Sequence, residues 1–446
     1  MVKLPRIGRL KLPRLDAGNW RARLRAQRTW WRRRLRLLAG DHEVLFPLEG
    51  GGVVAVESLT PESADGPRIA ILHATAGSGH KSAALALASA IGSMAPNARV
   101  REVDTLVFAS RFYRSTYSQG YNAMAQRAPK LWGALYHLWA QERVHRAAGP
   151  TREAFDRLSL RSLVRVVERE HPDAVVCTHF LPVEALSPRR GQGRLRVPLY
   201  VVITDFTAHP MWAYPHVDRY FVASDEVADQ LHGHGVPRER IEVTGIPVDP
   251  RFARTIGRAE ARAHLRLDPA APVVLVMGGG SGVGPMGELA RRLAQLPSRP
   301  QLVVACGTNR GLQRDVEALA EFHPGRVRAL GYSNEVDVLL EAADVVVSKA
   351  GGLTCAEALI KRTPLVVFRP TPGQEVANAQ YLESGGAAVH ADTVENVAAT
   401  VERWLSDSTT RERVRENAGR LARPRAAETI AKRVLDALPA PVARTA

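Results

Sequence analysis

Short apolar runs alternate with helical stretches along most of the chain, and this alternation constrains the fold more than any other feature. The first set of strand-like runs lies at 69–73, 98–103, 174–178, 199–204, 219–222 and 241–244. A second set lies at 272–277, 301–305, 327–329, 345–348, 365–368 and 387–390. Strands that alternate with helices predict parallel sheets covered on both faces. Because 446 residues exceed what one core accommodates, we predict an α/β protein with two Rossmann-like domains facing each other across a cleft.

The predicted domain boundaries follow from these two sets. They are 1–40, a basic arm; 41–66, a connecting segment; 67–250, the N-terminal domain; 256–425, the C-terminal domain; and 426–446, a C-terminal helix. A linker is expected near 247–254. Within the connecting segment, the runs at 44–46 and 53–56 predict one pair of strands, and no function is assigned to them.

The segment from Ser348 to Ala379 has the composition of a nucleotide-sugar site. The strand at 345–348 leads through Gly351 and Gly352 into a predicted helix at 354–362. Glycines let backbone N–H groups approach a diphosphate closely, and a helix N-terminus adds partial positive charge. Glu357 then lies one turn into the helix, where its carboxylate can accept hydrogen bonds from a ribose diol. Amide and carboxylate groups suited to sugar hydroxyls follow at Gln374, Glu375 and Asn378.

The loop Thr75-Ala-Gly-Ser-Gly-His-Lys-Ser is superficially like a Walker A phosphate loop. That motif requires a glycine immediately before its lysine, whereas His80 precedes Lys81 here. The sequence therefore disfavours a P-loop ATPase. It favours a slim strand-to-helix turn that opens a helix at His80, facing the cleft.

Six motifs occur in one order along residues 67–430. They are Ala74-Thr-Ala-Gly-Ser-Gly-His-Lys-Ser-Ala-Ala, Thr204-Asp-Phe-x-x-His-Pro-x-Trp, Gly245-Ile-Pro-Val-x-Pro-x-Phe, Gly278-Gly-Gly-Ser-Gly, Cys306-Gly-x-Asn, and Lys349-Ala-Gly-Gly-x-Thr-x-x-Glu-Ala with Pro372-Gly-Gln-Glu-x-x-Asn. Together they resemble glycosyltransferase family 28 and, within it, the branch of monogalactosyldiacylglycerol synthases and processive diacylglycerol glucosyltransferases. Any one motif alone would be weak.

The resemblance implies the GT-B fold, in which the last helix, here 426–438, crosses back onto the first domain. The residues and the resemblance together predict a donor site of Gly279, Gly280, Ser281, Asn309, Tyr332, Lys349, Gly351, Gly352, Thr354, Glu357, Gln374, Glu375 and Asn378. The predicted acceptor site comprises Gly77, Gly79, Trp132, Tyr136, His209 and Trp212. The aromatic segment 112–139, which contains two of these, fits either simple packing or contact with the acceptor and membrane.

Two residues compete for the role of catalytic base. The family places a base or acceptor-positioning histidine at the position of His80, and a neutral imidazole there can accept a hydroxyl proton near pH 7. Asp205 follows the strand at 199–204, and the ends of such strands line the cleft. We rank His80 above Asp205 and leave the alternative open.

The basic arm carries most of the net charge of the chain. Residues 1–40 contain 13 Lys or Arg and one acid, Asp16, and thus supply +12 of the formal +16. One helical face of this arm holds Trp20, Leu24, Trp31, Leu35 and Leu38. An apolar face opposite arginines predicts an interfacial helix on anionic lipid, although a disordered tail or a nucleic-acid arm has the same composition. A lipid-using enzyme favours the membrane.

The cellular location follows from two further observations. No run approaches eighteen uninterrupted apolar residues, and the three cysteines, Cys177, Cys306 and Cys355, fit a reducing compartment. We therefore expect a cytoplasmic protein, peripheral on the cytoplasmic face of the membrane.

The sequence predicts an inverting glycosyltransferase that moves a hexose from UDP-glucose or UDP-galactose to diacylglycerol or a related lipid. No cofactor is expected because the UDP-sugar is a substrate, and the absence of Asp-x-Asp favours catalysis without metal. Alternatives are a transferase acting on polyprenyl-linked sugars, a UDP-sugar epimerase of the same architecture, and a basic nucleic-acid-binding or scaffold protein. The amphipathic arm favours a lipid acceptor over a soluble epimerase, and no nucleic acid is expected.

Overall fold

A computed structural model describes residues 66–75, 78–109, 133, 159–282 and 284–438. It also describes two strands, β1 (Glu43–Pro47) and β2 (Val53–Glu57), which pair antiparallel. This hairpin matches the strand pair predicted for the connecting segment. The arm at 1–40 and most of the aromatic segment 112–139 lie outside the described residues.

The N-terminal domain is built on a six-stranded parallel sheet. Its strands are β3 (Arg68–His73), β4 (Arg99–Asp104), β5 (Ala174–Cys177), β6 (Leu199–Val202), β7 (Arg219–Val222) and β8 (Ile241–Val243), in the order β4-β3-β5-β6-β7-β8. Its described α-helices are α1 (Ser78–Met94), α2 (Arg161–Glu170), α3 (Phe180–Gly191) and α4 (Asp225–Gly233). The strands β5 and β6 are buried at every position, as parallel strands covered on both faces must be.

The C-terminal domain has a second six-stranded parallel sheet. Its strands are β9 (Val273–Met277), β10 (Gln301–Ala305), β11 (Val327–Leu330), β12 (Val345–Ser348), β13 (Leu365–Phe368) and β14 (Ala388–Ala391), in the order β11-β10-β9-β12-β13-β14. Its helices are α5 (Arg258–His264), α6 (Met286–Ala294), α7 (Arg310–Phe322), α8 (Val336–Ala342), α9 (Gly352–Ile360), α10 (Gln374–Ser384), α11 (Val394–Ser406) and α12 (Ser408–Leu421). The order is that of a dinucleotide-binding sheet.

Each sheet has a switch point, where successive connections leave in opposite directions. In the C-terminal sheet it lies between β9 and β12, and in the N-terminal sheet between β3 and β5. Crevices form outside the carboxyl ends of strands at such points and bind ligands. The glycine loops after β9 and β12 and the first turn of α1, which carries His80, therefore border these crevices.

The last helix, α13 (Ala426–Asp436), packs on the N-terminal domain. Ile430 and Val434 are fully buried in one apolar cluster with Leu87 and Ile91 of α1. Arg433 pairs with Glu242 of the N-terminal domain at 2.8 Å. The chain thus returns to its first domain after completing the second, as the resemblance implied.

The two domains meet along the cleft through close backbone contacts. A Cβ added at Gly352 would lie 1.9 Å from the carbonyl oxygen of Thr204. A Cβ at Gly79 would lie 3.5 Å from Leu353, and one at Gly280 would lie 3.5 Å from Oγ of Ser78. Small residues at these positions allow the cleft to close.

Candidate active site

His80 lies in the first turn of α1 and is held in one orientation. Its Nδ1 is 2.7 Å from the carbonyl oxygen of Thr178 and 3.0 Å from Oγ1 of Thr204. A carbonyl oxygen only accepts, so Nδ1 carries the proton and Nε2 keeps the lone pair. Oγ1 of Thr178 in turn donates to the carbonyl oxygen of His80 at 2.9 Å. Among the described residues nothing bonds Nε2, which leaves it available to accept a proton from a substrate.

The surroundings of His80 keep its imidazole neutral. Burial lowers the pKa of His80 to about 4, although the bond to Thr178 opposes this, and His73 lowers it further. The ring of His179 meets that of His80 edge-on, with centroids 4.5 Å apart. A neutral ring with a fixed tautomer has the form that a general base requires at pH 7.

Sequence reasoning missed the residues that support His80. His179 is buried, caps α3 by accepting from N–H of Leu181 at 3.0 Å, and has its pKa lowered by burial. Behind them His73 and Glu102 form a buried pair. The available signal was position: Thr178 and His179 follow β5, which lies beside β3 at the switch point.

Asp205 follows β6 and lies beside Gly352 at the domain interface. Its Oδ1 accepts a hydrogen bond of 2.9 Å from Nδ2 of Asn378, across the interface. Burial raises the pKa of Asp205 to about 6, the bond from Asn378 opposes the rise, and Glu375 adds to it. The structure therefore brings both predicted base candidates to one place, on either side of Thr204.

Asn378, a predicted donor residue, lies at the interface between the two domains. It is fully buried, and its Nδ2 donates to Asp205 and to the carbonyl oxygen of Ala350, each at 2.9 Å. Its Oδ1 accepts from N–H of Phe206 at 2.7 Å. Both amide hydrogens are thus used within the protein, and the contact of Asn378 with the donor sugar stays a prediction.

The glycines after β12 have separate environments. A Cβ added at Gly351 would meet no atom within 4 Å, so this side of the loop is open. Gly352, in contrast, packs against Thr204 of the other domain. Both precede or begin α9, whose N-terminal N–H groups favour an anion. Gly351 has the open face that a phosphate needs, and Gly352 permits the domains to meet.

The glycine loop after β9 is held by its neighbours. The carbonyl oxygen of Gly280 accepts from N–H of Thr308 at 3.0 Å, and Ser281 is exposed. Asn309 donates from Nδ2 to Gly282 at 2.9 Å, while its Oδ1 accepts from N–H of Leu312 and caps α7. Asn309 thus shapes the loop, and its direct contact with the donor stays a prediction.

Glu357 lies on α9, one turn after Thr354. Burial raises the pKa of Glu357 to about 8, and the charges of Asp249 and Asp337 raise it further. In the part of the chain that the structure describes, no group bonds this carboxylate. A desolvated carboxyl without a protein partner is suited to a ligand that brings its own hydroxyl donors.

The remaining predicted donor residues lie around α10 and the glycine loops. Nζ of Lys349 is 3.5 Å from Oε2 of Glu375, which also accepts from N–H of Thr371 at 2.5 Å. Gln374 is the first residue of α10. The ring of Tyr332 is 66% exposed, and a Cβ added at Gly280 would lie 3.9 Å from it. An exposed aromatic ring beside a phosphate-type loop is available to stack on a base.

The predicted acceptor residues divide into three groups. Gly77, Trp132 and Tyr136 lie outside the described residues. Gly79 faces Leu353, and His209 accepts through Nδ1 from N–H of Met211 at 3.2 Å, capping a short turn. Trp212 is only 6% exposed and packs edge-on against Phe180, and its contact with the acceptor stays a prediction. It supports Phe180 and His179 from behind.

The described helices and side chains bear on membrane insertion and metal binding. None of the helices described is both long and apolar enough to cross a bilayer. Among these same residues, no group of His, Cys, Asp and Glu side chains is arranged to hold a metal ion.

Two facing Rossmann-like sheets, with glycine loops at the switch points and a fixed histidine across the cleft, define the GT-B architecture. Solved structures support the fold. The Acinetobacter baumannii MurG structure matches with a TM-score of 0.54 and 18% identity over 83% of this chain and all of that one. The glycotransferase of kitacinnamycin matches with a TM-score of 0.55 and 18% identity over 84% of this chain and 99% of its own.

Sequence comparisons identify the family. Residues 80–248 match the monogalactosyldiacylglycerol (MGDG) synthase family, and residues 273–433 match the glycosyltransferase family 28 C-terminal domain. A processive diacylglycerol beta-glucosyltransferase of Bacillus pumilus is 31% identical over 275 residues, or 61% of this chain and 71% of that protein. The chain belongs to the family 28 glycosyltransferases that carry an MGDG synthase domain. This confirms the predicted family and fold.

Proposed function

We propose that this protein transfers a hexose from a UDP-sugar to diacylglycerol at a membrane surface, with inversion at the anomeric carbon. The observation that carries the proposal is His80, a neutral base with its Nε2 free, set across the interface from the glycine loops after β9 and β12. The similarity to processive diacylglycerol beta-glucosyltransferases supports the lipid acceptor.

The proposed reaction uses both sides of the cleft. Nε2 of His80 removes the proton of the acceptor hydroxyl as its oxygen attacks the anomeric carbon from the face opposite UDP. The bond from that carbon to the UDP oxygen breaks. The diphosphate charge that develops is stabilised by N–H groups at Gly351 and Gly352 and by the N-terminus of α9.

Donor recognition is assigned to groups around α9 and α10. Glu357 accepts hydrogen bonds from the ribose diol, and Tyr332 stacks on uracil. The sugar hydroxyls form hydrogen bonds with Gln374, Glu375 and Lys349, because these polar groups lie together at the start of α10. The choice between UDP-glucose and UDP-galactose rests on these side chains.

We further propose that catalysis needs neither metal nor cofactor and that the basic arm places the enzyme on anionic lipid. The arm brings +12 of charge within 40 residues. Each basic group near an anionic surface contributes about 1 kcal/mol to binding. Salt at 0.1 M screens this attraction beyond a distance of roughly 10 Å. Deleting residues 1–40 should reduce salt-sensitive sedimentation with anionic vesicles while transfer to a detergent-dispersed acceptor persists. Equal sedimentation of both forms at low and high salt would contradict this.

The function is tested by incubating the protein with vesicles containing diacylglycerol and each of several UDP-sugars, with and without chelator. Lipid extraction and mass analysis should show hexosylated diacylglycerol, and the chelator should not change its amount. Interconversion of UDP-sugars without acceptor would instead indicate an epimerase. Transfer only to a polyprenyl-linked sugar would replace the acceptor but keep the chemistry, and salt-sensitive DNA binding without UDP binding would overturn the enzyme assignment.

A further inference from the structure

Asn378 joins three segments that belong to two domains. It lies on α10 in the C-terminal domain and donates to Ala350, in the loop after β12. It also donates to Asp205 and accepts from Phe206, both in the loop after β6 of the N-terminal domain. An amide that is fully buried and satisfied on both sides of an interface fixes the relative position of the two domains.

Apolar contacts strengthen the same junction. Tyr381 lies one turn beyond Asn378 on α10, and its ring stacks on Phe206 with centroids 4.6 Å apart and planes 15° apart. Gly352 packs its backbone against the carbonyl oxygen of Thr204. The loop Thr204–Phe206 is therefore in contact with both α9 and α10 of the donor domain.

The donor end of this junction is short and rigid. Gln374 and Glu375 begin α10, and Asn378 follows them by one helical turn, so a shift of one end of the helix moves the other. Ala350 immediately precedes Gly351, whose open face is assigned to the diphosphate. Asn378 thus lies on one donor-binding segment, α10, and contacts the other, the loop after β12, through Ala350.

The opposite end reaches the base. Thr204 precedes Asp205 directly, and its Oγ1 lies 3.0 Å from Nδ1 of His80. The main-chain position of Thr204 helps to determine where the imidazole of His80 points. A displaced loop would move that ring, and small displacements at a reacting centre cost much of the rate.

We infer that Asn378 and Asp205 form a positioning pair, which aligns His80 with the donor when the cleft is closed. On this view Asp205 accepts a hydrogen bond for alignment and does not take the proton of the acceptor. The inference rests on the proposed function, since it assigns the alignment step of that reaction.

The first test replaces each partner of the pair. Asn378→Ala and Asp205→Ala should each lower kcat by about tenfold or more, because alignment is lost. For Asp205→Ala, UDP affinity measured by calorimetry should stay within about threefold of the wild type, since Glu357 and the contact of Asn378 with Ala350 are kept. Asn396→Ala, an exposed asparagine on α11, serves as the matched control. Calorimetry also shows which variants are folded, and Asp205→Ala breaks the pair from its less buried side.

The second test separates alignment from base chemistry. Asp205→Asn keeps an oxygen that can accept from Asn378 but cannot remove a proton at neutral pH. It should retain at least about tenfold more turnover than Asp205→Ala. Equal and severe loss in both variants would give Asp205 a chemical role and overturn the inference. So would normal turnover in folded Asn378→Ala and Asp205→Ala.

A third measurement does not depend on the acceptor. Thermal denaturation of the wild type, Asn378→Ala, Asp205→Ala and the double variant forms a double-mutant cycle, with and without UDP. The two changes should be non-additive, more so with UDP bound. Additive effects would overturn the pair. If the wild type makes no glycolipid while the cycle is non-additive, the proposed function fails and the pair stands.

Discussion

A Cβ added to Gly352 would lie 1.9 Å from the carbonyl oxygen of Thr204, so a residue of one domain fits against the other only because it lacks a side chain. The adjacent Gly351 has no such neighbour within 4 Å. Two consecutive glycines in one motif therefore have different physical tasks, and substitution separates them.

Gly352→Ala should keep the cleft from closing fully, because the new methyl group cannot be accommodated against backbone. We expect kcat to fall by about tenfold or more and UDP affinity to fall less. Gly351→Ala should do the reverse, weakening UDP binding with little change in Tm. Calorimetry, steady-state kinetics and thermal melts distinguish the two.

Gly92→Ala is the control for both glycine variants, since a Cβ there, in the last turn of α1, meets nothing within 4 Å. It should be neutral or stabilise by about 0.5–1 kcal/mol. Identical behaviour of Gly351→Ala and Gly352→Ala would show that the two glycines share one role.

His80→Ala should lower kcat by about 10²–10⁴-fold, the usual contribution of a general base. Binding of UDP should remain, because His80 belongs to the opposite domain from Glu357. His264→Ala, an exposed histidine that pairs with Glu335, is the matched control. A loss in kcat below about tenfold would remove His80 from proton transfer.

Glu357 makes UDP binding depend on pH. Burial raises the pKa of Glu357 to about 8, so the unliganded carboxyl is protonated at pH 6 and must ionise to accept from the ribose diol. The ionised carboxylate can accept from both ribose hydroxyls with both oxygens, whereas the protonated form has less acceptor capacity, so UDP affinity of the wild type should rise between pH 6 and 8. Glu357→Gln should bind UDP about tenfold to a hundredfold more weakly at pH 8, since a hydrogen bond to a charged group contributes about 1.5–3 kcal/mol. Its affinity should be flat over this range.

The same shift has the opposite effect on stability. A carboxyl whose pKa is raised on folding binds more protons folded than unfolded between its ordinary pKa of 4.5 and about 8. Its contribution to the free energy of unfolding is thus present below 4.5 and is lost as the pH rises towards 8. Without UDP, Glu357→Gln should melt higher than the wild type at pH 8. If the melting temperature fell by the same amount between pH 6 and 8 in the wild type and in Glu357→Gln, this assignment would be contradicted.

The returning helix α13 should matter for stability through its buried face. Ile430→Ala removes a fully buried side chain from the contact with α1 and should cost about 2–5 kcal/mol. Arg433→Ala breaks an ion pair whose arginine is 54% exposed and screened by solvent, so it should cost much less than Ile430→Ala. Chemical denaturation checks both. Comparable losses would mean that the ion pair holds the helix as much as the apolar face does, and would contradict this prediction.

The sequence alone determined the two-sheet architecture because parallel strands covered on both faces are continuous apolar runs. The strands at 219–222, 301–305, 345–348 and 365–368 have the predicted bounds, and others differ by a residue or two at an end. Glycines, Glu357 and His80 were recognisable because local backbone geometry and motif order define them. These are properties of neighbours in the chain.

Only the tertiary structure decided which polar groups remain open to a substrate. Thr178 and His179 reach His80 from nearly 100 residues away, because β3 and β5 are neighbours in the sheet. Residue types typical of a binding site occur at Asn378, Asn309 and Trp212. In the structure Asn378 bonds across the domain interface, Asn309 bonds the glycine loop after β9, and Trp212 packs against the ring of Phe180. A side chain's hydrogen-bond capacity is finite, and the partners that use it come from segments whose proximity no local pattern encodes.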